Sequence, residues 1–305
     1  MERNMRKMMA AALMLVSGLA TAGTYTQTKY PIVLAPGVLG FDKILGIEYF
    51  YGIPSALGSD GAKVYVTSAS AFNTSDARGE QLLAQVQSVL AISGAQKINL
   101  IGHSHGGFSA RYVAAAIPSR VASITTVGSP VKGTPVADLL LQFTANPSIG
   151  GVVGTVGNAF SKLVSSLGGK NYNEDFLGSM ASLSTSGAAA FNARFPAGVP
   201  TSSCGEGAYT ANGQRFYSMG GTSAVTNILD PLDIFFGATS LGMGGQASDG
   251  LVGRCSNHFG QVLRDDYPWN HGDEINHLFG LRGLFTPDPK SVYRDQANRL
   301  KTAGL

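Results

Sequence analysis

Five residues in the middle of the chain, Gly102-His103-Ser104-His105-Gly106, set one hydroxyl between two imidazoles and two glycines. The G-x-S-x-G spacing suits a tight strand-to-helix turn that presents a serine as a nucleophile, because the glycines leave room for neighbouring backbone. With 40 glycines in 305 residues, the pentapeptide alone is weak. Its setting strengthens it: Ile98-Asn99-Leu100-Ile101 reads as a strand running into the motif, and a helix begins just after it. A serine hydroxyl attacks poorly until a base takes its proton. His103 and His105 flank the serine within the motif, which leaves His258, His271 and His277 as bases. His258 lies three residues from Cys255, and His277 falls in a helical reading of 273–278. His271 sits in a loop after the apolar pair Val262-Leu263, so it leads. For the acid, Asp230, Asp233, Asp249, Asp265, Asp266 and Asp273 are all available. Asp249, between a glycine-rich loop and Gly250-Leu251-Val252, has the best spacing, but the residues alone leave the choice open.

The elements that must position these groups are clearest in the first half. Tyr30–Ala35, Lys63–Thr67, Lys97–Ile101 and Ser123–Val127 are short apolar runs of strand type. Arg78–Ile92 and Phe108–Ile117 have helical periodicity, the first closed by Ser93-Gly94 and the second by Pro118. Strands alternating with helices predict an α/β domain, with a mainly parallel sheet covered on both faces and the site at the carboxyl ends of the strands. The second half is rich in glycine and less legible.

Composition bounds the function. Apolar residues make up 44% of the chain and charged residues 13%, which fits a packed enzyme and not a disordered or electrostatic binder. Arg3, Arg6 and Lys7, then the apolar run Met8–Leu19, then Ala20-Thr21-Ala22 have the order of a signal peptide over 1–22, leaving one domain over 23–305. Without the leader the chain is close to neutral, so neither nucleic acid nor a charged membrane surface is an expected partner. Cys204 and Cys255, the two cysteines, read as a disulfide in an exported protein. Ile149, Val152, Val153, Val156, Phe160, Leu163, Val164 and Leu167 form one helical stripe. A stripe this apolar is expected to cover something apolar, either as a core helix or as a lid over about 145–170 that opens at a lipid–water interface.

The chain resembles the secreted pseudomonad triacylglycerol lipases, true lipases of the α/β-hydrolase fold that need a dedicated foldase. The stretches that carry the resemblance are YPIVLAPGVLGFDKILGI (30–47), IGHSHGG (101–107), PTSSCGEGAY (200–209), ILDPLD (228–233), SDGLVG (248–253), NHGDEIN (270–276) and SVYRDQANRL (291–300), covering essentially 24–305. The resemblance implies Ser104 as nucleophile, Asp249 as acid and His271 as base, with the backbone N–H groups of Val38 and His105 forming the oxyanion hole. It implies one structural calcium on the carboxylates of Asp230 and Asp273 and the carbonyls of His277 and Leu281, and it supports the Cys204–Cys255 pairing. It further implies a secreted monomer that reaches the medium through the periplasm, helped by the foldase, and that hydrolyses lipid esters with interfacial activation. A broad esterase, polyester depolymerase or acyltransferase could use the same triad, and a silent lipid binder could use the same fold. Two positions depart from the family pattern: Pro36 stands where histidine is usual, and His277 where glutamine is usual.

Overall fold

A computed structural model describes residues 24–277 and 279–305; the expected leader over 1–22 lies outside the described residues. The chain opens with β1 (Ile32–Ala35), the hairpin β2 (Lys43–Ile44) and β3 (Ile47–Glu48), and α1 (Ile53–Gly58). It continues through β4 (Val64–Val66), α2 (Ser75–Ser93), β5 (Ile98–His103), α3 (His105–Ala116) and β6 (Val121–Val127). Four helices follow in a row: α4 (Pro135–Thr144), α5 (Pro147–Leu167), α6 (Phe176–Leu183) and α7 (Thr185–Arg194). Then come β7 (Thr210–Ala211), β8 (Gln214–Gly221), α8 (Pro231–Ser240), β9 (Gln261–Tyr267) and α9 (Pro289–Thr302).

The main sheet runs β4-β1-β5-β6-β8, with β9 and the short β7 both on the outer side of β8. Every neighbour is parallel except β7. The strands β1, β5 and β6 are buried at every position, as required of parallel strands covered on both faces. Alternate residues feed two cores. Val33, Leu100 and Ile124 meet Leu82 and Val86 of α2 and Val113 of α3, whereas Ile32, Leu34 and Ile101 meet Phe50, Tyr293 and Ala297 on the α1/α9 side. The parallel sheet and its two helical layers are therefore as the alternation of elements predicts. Among the described residues no helix is long and apolar enough to cross a membrane. Cys204 and Cys255 are disulfide-bonded, closing a separation of 51 residues.

The apolar stripe behaves differently from the expectation. It does lie on one helix, α5, but Ile149, Val152, Val156, Phe160, Leu163 and Leu167 face solvent, with Val156 63% exposed. The adjoining side, with Gly150, Ser161 and Ser165, is the buried one, and Val164 of the stripe is buried with it. Small residues allow that face to sit close: a Cβ on Gly157 would be 2.4 Å from the Phe176 ring of α6. Within the stripe Val164 packs with Ala71 and Phe72, whereas the six exposed members leave about half or more of their surface to solvent.

Candidate active site

Ser104 sits between β5 and α3 with φ 54° and ψ −128°, a left-side backbone conformation that few side chains adopt. The turn closes only because glycines surround it. A Cβ at Gly102 would lie 2.4 Å from the Gly106 carbonyl oxygen, and one at Gly106 would lie 2.3 Å from the Ala35 carbonyl oxygen. The sharp turn places Ser104 at the carboxyl end of the sheet and at the N-terminus of α3, where unpaired N–H groups favour negative charge.

His271 and Asp249 come from two loops that fold onto each other. The Asp249 carboxylate and His271 Nδ1 are 2.7 Å apart, and the His271 N–H donates to the Asp249 carbonyl at 2.9 Å. The other carboxylate oxygen of Asp249 accepts the N–H groups of Leu251 and Val252 at 2.8 and 2.6 Å, a turn that depends on Gly250 at φ 101°. Asn270 fixes the histidine loop: its side-chain oxygen accepts the N–H groups of Gly272 and Asp273, and its amide donates to Asp233 at 2.7 Å. His271 Nε2 is buried and has no hydrogen-bond partner, and no bond joins it to the Ser104 hydroxyl. Such contacts are commonly long without substrate.

The loop after β1 lies beside the serine. A Cβ at Gly37 would be 2.6 Å from the Ser104 Cβ. Its N–H groups are assigned one by one: Gly37 donates to the Tyr49 hydroxyl at 2.9 Å, Leu39 to the Ala71 carbonyl at 2.9 Å, and Gly40 back to Gly37 at 3.2 Å. Val38 N–H donates to no acceptor among the described residues, and neither does the first N–H of α3, that of His105. The His105 imidazole is buried between Ser75 Oγ, at 2.9 Å, and Ser179 Oγ, at 3.5 Å, and burial holds it well below the ordinary histidine range. Its side chain is therefore neutral scaffolding, while its N–H is free.

Four buried groups that sequence reasoning did not single out complete the site. The Arg78 guanidinium donates to the carbonyls of Pro36 and Gly37 at 2.9 and 2.5 Å and also to that of Ser70, and burial lowers its pKa to about 10. It grips the β1 loop through carbonyls, so Pro36 removes nothing it needs. Tyr49 Oη and His103 Nδ1 are 2.8 Å apart, and His103 Nε2 lies 3.2 Å from Glu274. Glu274 also accepts the Gly221 N–H at 2.7 Å and lies 3.7 Å from His271 Nδ1. Burial and the nearby Asp249 charge hold its carboxyl well above the usual range. The ligand-type atoms of His103, His271 and Glu274 lie within 4.8 Å of one another; His103 is hydrogen-bonded to Glu274, and His271 Nδ1 stands 3.7 Å from the same carboxyl group. The signals for these groups were slight: a histidine inside the pentapeptide and an acid three residues after His271.

Asp230 and Asp273 form a separate acidic pair. Asp230 caps α8 by accepting the Leu232 N–H at 2.8 Å, and Asp273 accepts the Asn270 N–H at 3.2 Å. The remaining oxygen of each, Asp230 Oδ2 and Asp273 Oδ1, is buried without a partner. Burial, with Asp233 and Asp230 nearby, pushes Asp273 up to about 7. Two orphaned carboxylate oxygens facing mutual repulsion suit a hard cation. Among the described residues neither the His277 nor the Leu281 carbonyl accepts a hydrogen bond. His258 is tied down on both sides, to the Gly205 carbonyl at 3.1 Å and to Asp265 at 2.8 Å, in keeping with a structural role.

A strained serine turn at the sheet's carboxyl edge, beside a buried carboxylate–imidazole pair, defines a hydrolase of the α/β type. The family model for the alpha/beta hydrolase fold matches residues 30–275. A triacylglycerol lipase of Vibrio cholerae is 51% identical, covering 96% of this chain and 97% of its own. One from Burkholderia plantarii is 42% identical over 93% of this chain and 89% of its own. Among solved structures, Staphylococcus hyicus lipase aligns with a TM-score of 0.63 at 15% identity, covering 93% of this chain and 98% of its own; that likeness speaks for the fold. The chain belongs to the α/β-hydrolase family and, within it, to the bacterial triacylglycerol lipases of pseudomonad type.

Proposed function

We propose that this protein is a triacylglycerol lipase that hydrolyses lipid esters through an acyl-enzyme on Ser104. The 2.7 Å contact between Asp249 and His271, with Nε2 of the same ring left unpartnered beside the serine turn, carries the reading. His271 Nε2 takes the Ser104 proton as the oxygen attacks the ester carbonyl, and Asp249 holds the tautomer and stabilises the imidazolium. The unpartnered N–H groups of Val38 and His105 receive the oxyanion, each worth roughly 3 kcal/mol. His271 then returns the proton to the departing alcohol. Water, deprotonated by His271, splits the acyl ester and regenerates the serine. A fluorophosphonate that labels Ser104 of folded protein, and a Ser104→Ala variant inert toward emulsified triacylglycerol, are the expected results. Undiminished hydrolysis by that variant overturns the assignment.

Asp230 and Asp273 would hold one calcium with the carbonyls of His277 and Leu281, and its charge would clamp the His271 loop to the start of α8 without entering the chemistry. The exposed apolar face of α5 supports a lid standing open, with turnover rising at a lipid surface. Export through the periplasm with loss of residues 1–22, one hydrolase domain, a monomeric state and a folding partner complete the reading. The family and the disulfide support it.

A further inference from the structure

Beside the serine turn, the side chains of His103, His271 and Glu274 each offer one ligand-type atom within 4.8 Å of the other two, and all three are buried. His103 ends β5, whereas His271 and Glu274 stand three residues apart in one later loop. Glu274 Oε2 is the hub, 3.2 Å from His103 Nε2 and 3.7 Å from His271 Nδ1. Bonds of about 2.0–2.1 Å to a tetrahedral ion set neighbouring ligand atoms roughly 3.3 Å apart. The two spacings bracket that edge.

The far atoms of two of these groups are already held. Tyr49 Oη is 2.8 Å from His103 Nδ1, which leaves Nε2 as the ring nitrogen facing Glu274. The Gly221 N–H donates to Glu274 Oε1 at 2.7 Å, so Oε2 is the oxygen turned to both imidazoles. Partners of this kind on the outer atoms orient the ligands of metal sites. Charge points the same way. His271 Nδ1 can donate one proton, yet it faces Asp249 Oδ2 at 2.7 Å as well as Glu274. Among the described residues no lysine or arginine pairs with either carboxylate. Two buried acids beside two imidazoles, with no fixed cation, favour the arrival of positive charge.

We propose that His103 Nε2, His271 Nδ1 and Glu274 Oε2 form an inhibitory site for a divalent transition-metal ion, with zinc the best fit, separate from the acidic pair at Asp230 and Asp273. Two nitrogens and one oxygen suit a borderline ion such as Zn²⁺, whereas calcium and magnesium take oxygen ligands. Three protein ligands leave the fourth position to water, and the Asp249 carboxylate adds negative charge beside the ion. The inhibitory effect, though not the binding, rests on the triad reading above. An ion on Nδ1 obliges the ring proton of His271 to sit on Nε2, the atom that must accept from Ser104. It also ends the hold of Asp249 on the tautomer.

The test titrates zinc chloride into the full folded protein in excess calcium. One equivalent is expected to bind in equilibrium dialysis and to raise the Tm. A triad held in the wrong tautomer loses about 10⁴ in kcat, so hydrolysis of a short soluble ester should fall below about one-hundredth of the zinc-free rate. Stripping the metal with a chelator and restoring calcium should return the rate. Cobalt(II) in place of zinc should give the intense visible absorption of a tetrahedral ion. Glu274→Gln should bind zinc at least about tenfold more weakly, read by dialysis and Tm and not by rate. If that variant folds poorly, Tyr49→Phe, which frees the far side of the His103 ring, should show a loss of about tenfold instead. Asp230→Asn should keep zinc while losing the response to calcium. Unchanged zinc affinity in Glu274→Gln overturns the proposal, as does zinc binding that vanishes in Asp230→Asn, or one bound equivalent that leaves the rate untouched. Ser104→Ala should bind zinc like the parent, so failure of the nucleophile assignment is read separately.

Discussion

Tyr49 is the residue on which the loop beside the serine hangs. Its hydroxyl accepts the Gly37 N–H and touches His103, so one oxygen joins the β1 loop to the histidine preceding the nucleophile. Tyr49→Phe strands a buried donor and should cost about 1–3 kcal/mol of stability in urea unfolding. It should also lower kcat on a soluble ester about tenfold with KM unchanged, because the Val38 N–H shifts relative to the attacked carbonyl. His105 gives a second residue-scale expectation. Burial depresses its pKa in the folded state, so the unfolded chain takes up a proton near pH 6.5 where the native one does not. The stability it contributes is full above that pH and is lost as pH falls. His105→Gln lacks this loss. Between pH 7.5 and 5.5 the parent should therefore fall relative to the variant by about 1.4 kcal/mol. Parallel urea curves at both pH values would contradict it.

At the level of elements, legibility followed burial. The strands β1, β5 and β6 are covered on both faces, so their sequences are continuous apolar runs and could be placed within a few residues. Strand β9, Gln261–Tyr267, carries Arg264, Asp265 and Asp266 on a sheet edge and exposes part of itself, so only Val262-Leu263 stood out. The site loops were hard for a different reason. Asp249 and His271 are held by turns whose partners, Leu251, Val252 and Asn270, are visible only once the chain has folded. His103, Tyr49, Glu274 and Arg78 look like ordinary core or surface residues in a string of letters. The α5 stripe does lie on one helix, but Val164 is buried while six of its members are exposed, because periodicity cannot say which way a face points. Two glycines of that helix separate packing from propensity. Gly151 has open space around it, so Gly151→Ala should stabilise by about 0.5–1 kcal/mol. Gly157→Ala, driven into the Phe176 ring, should destabilise instead; thermal unfolding of the pair should move in opposite directions.

For the whole molecule, one covalent cross-link holds the second half, and the proposed calcium site would add another. The Cys204–Cys255 bond closes 51 residues, and reducing it in the folded protein should cost about 2–4 kcal/mol, read as a lower urea midpoint with and without reductant. The acidic pair predicts a second dependence. A cation held by Asp230 and Asp273 would bind only the folded chain, so chelation should lower the Tm and added calcium restore it, by about 2.7 kcal/mol at a hundredfold excess over Kd. Asp273→Asn should abolish that response. A Tm indifferent to chelator in the parent would remove calcium from the account.

The backbone at position 104 also restricts which nucleophile can evolve there. At φ 54° a β-branched side chain is badly crowded against its own backbone. Threonine is thereby closed to this lineage however reactive its secondary alcohol, whereas cysteine, with one γ-atom, fits the same bend. Exchange of the attacking atom from oxygen to sulfur is sterically open; a change from a primary to a secondary carbinol is not.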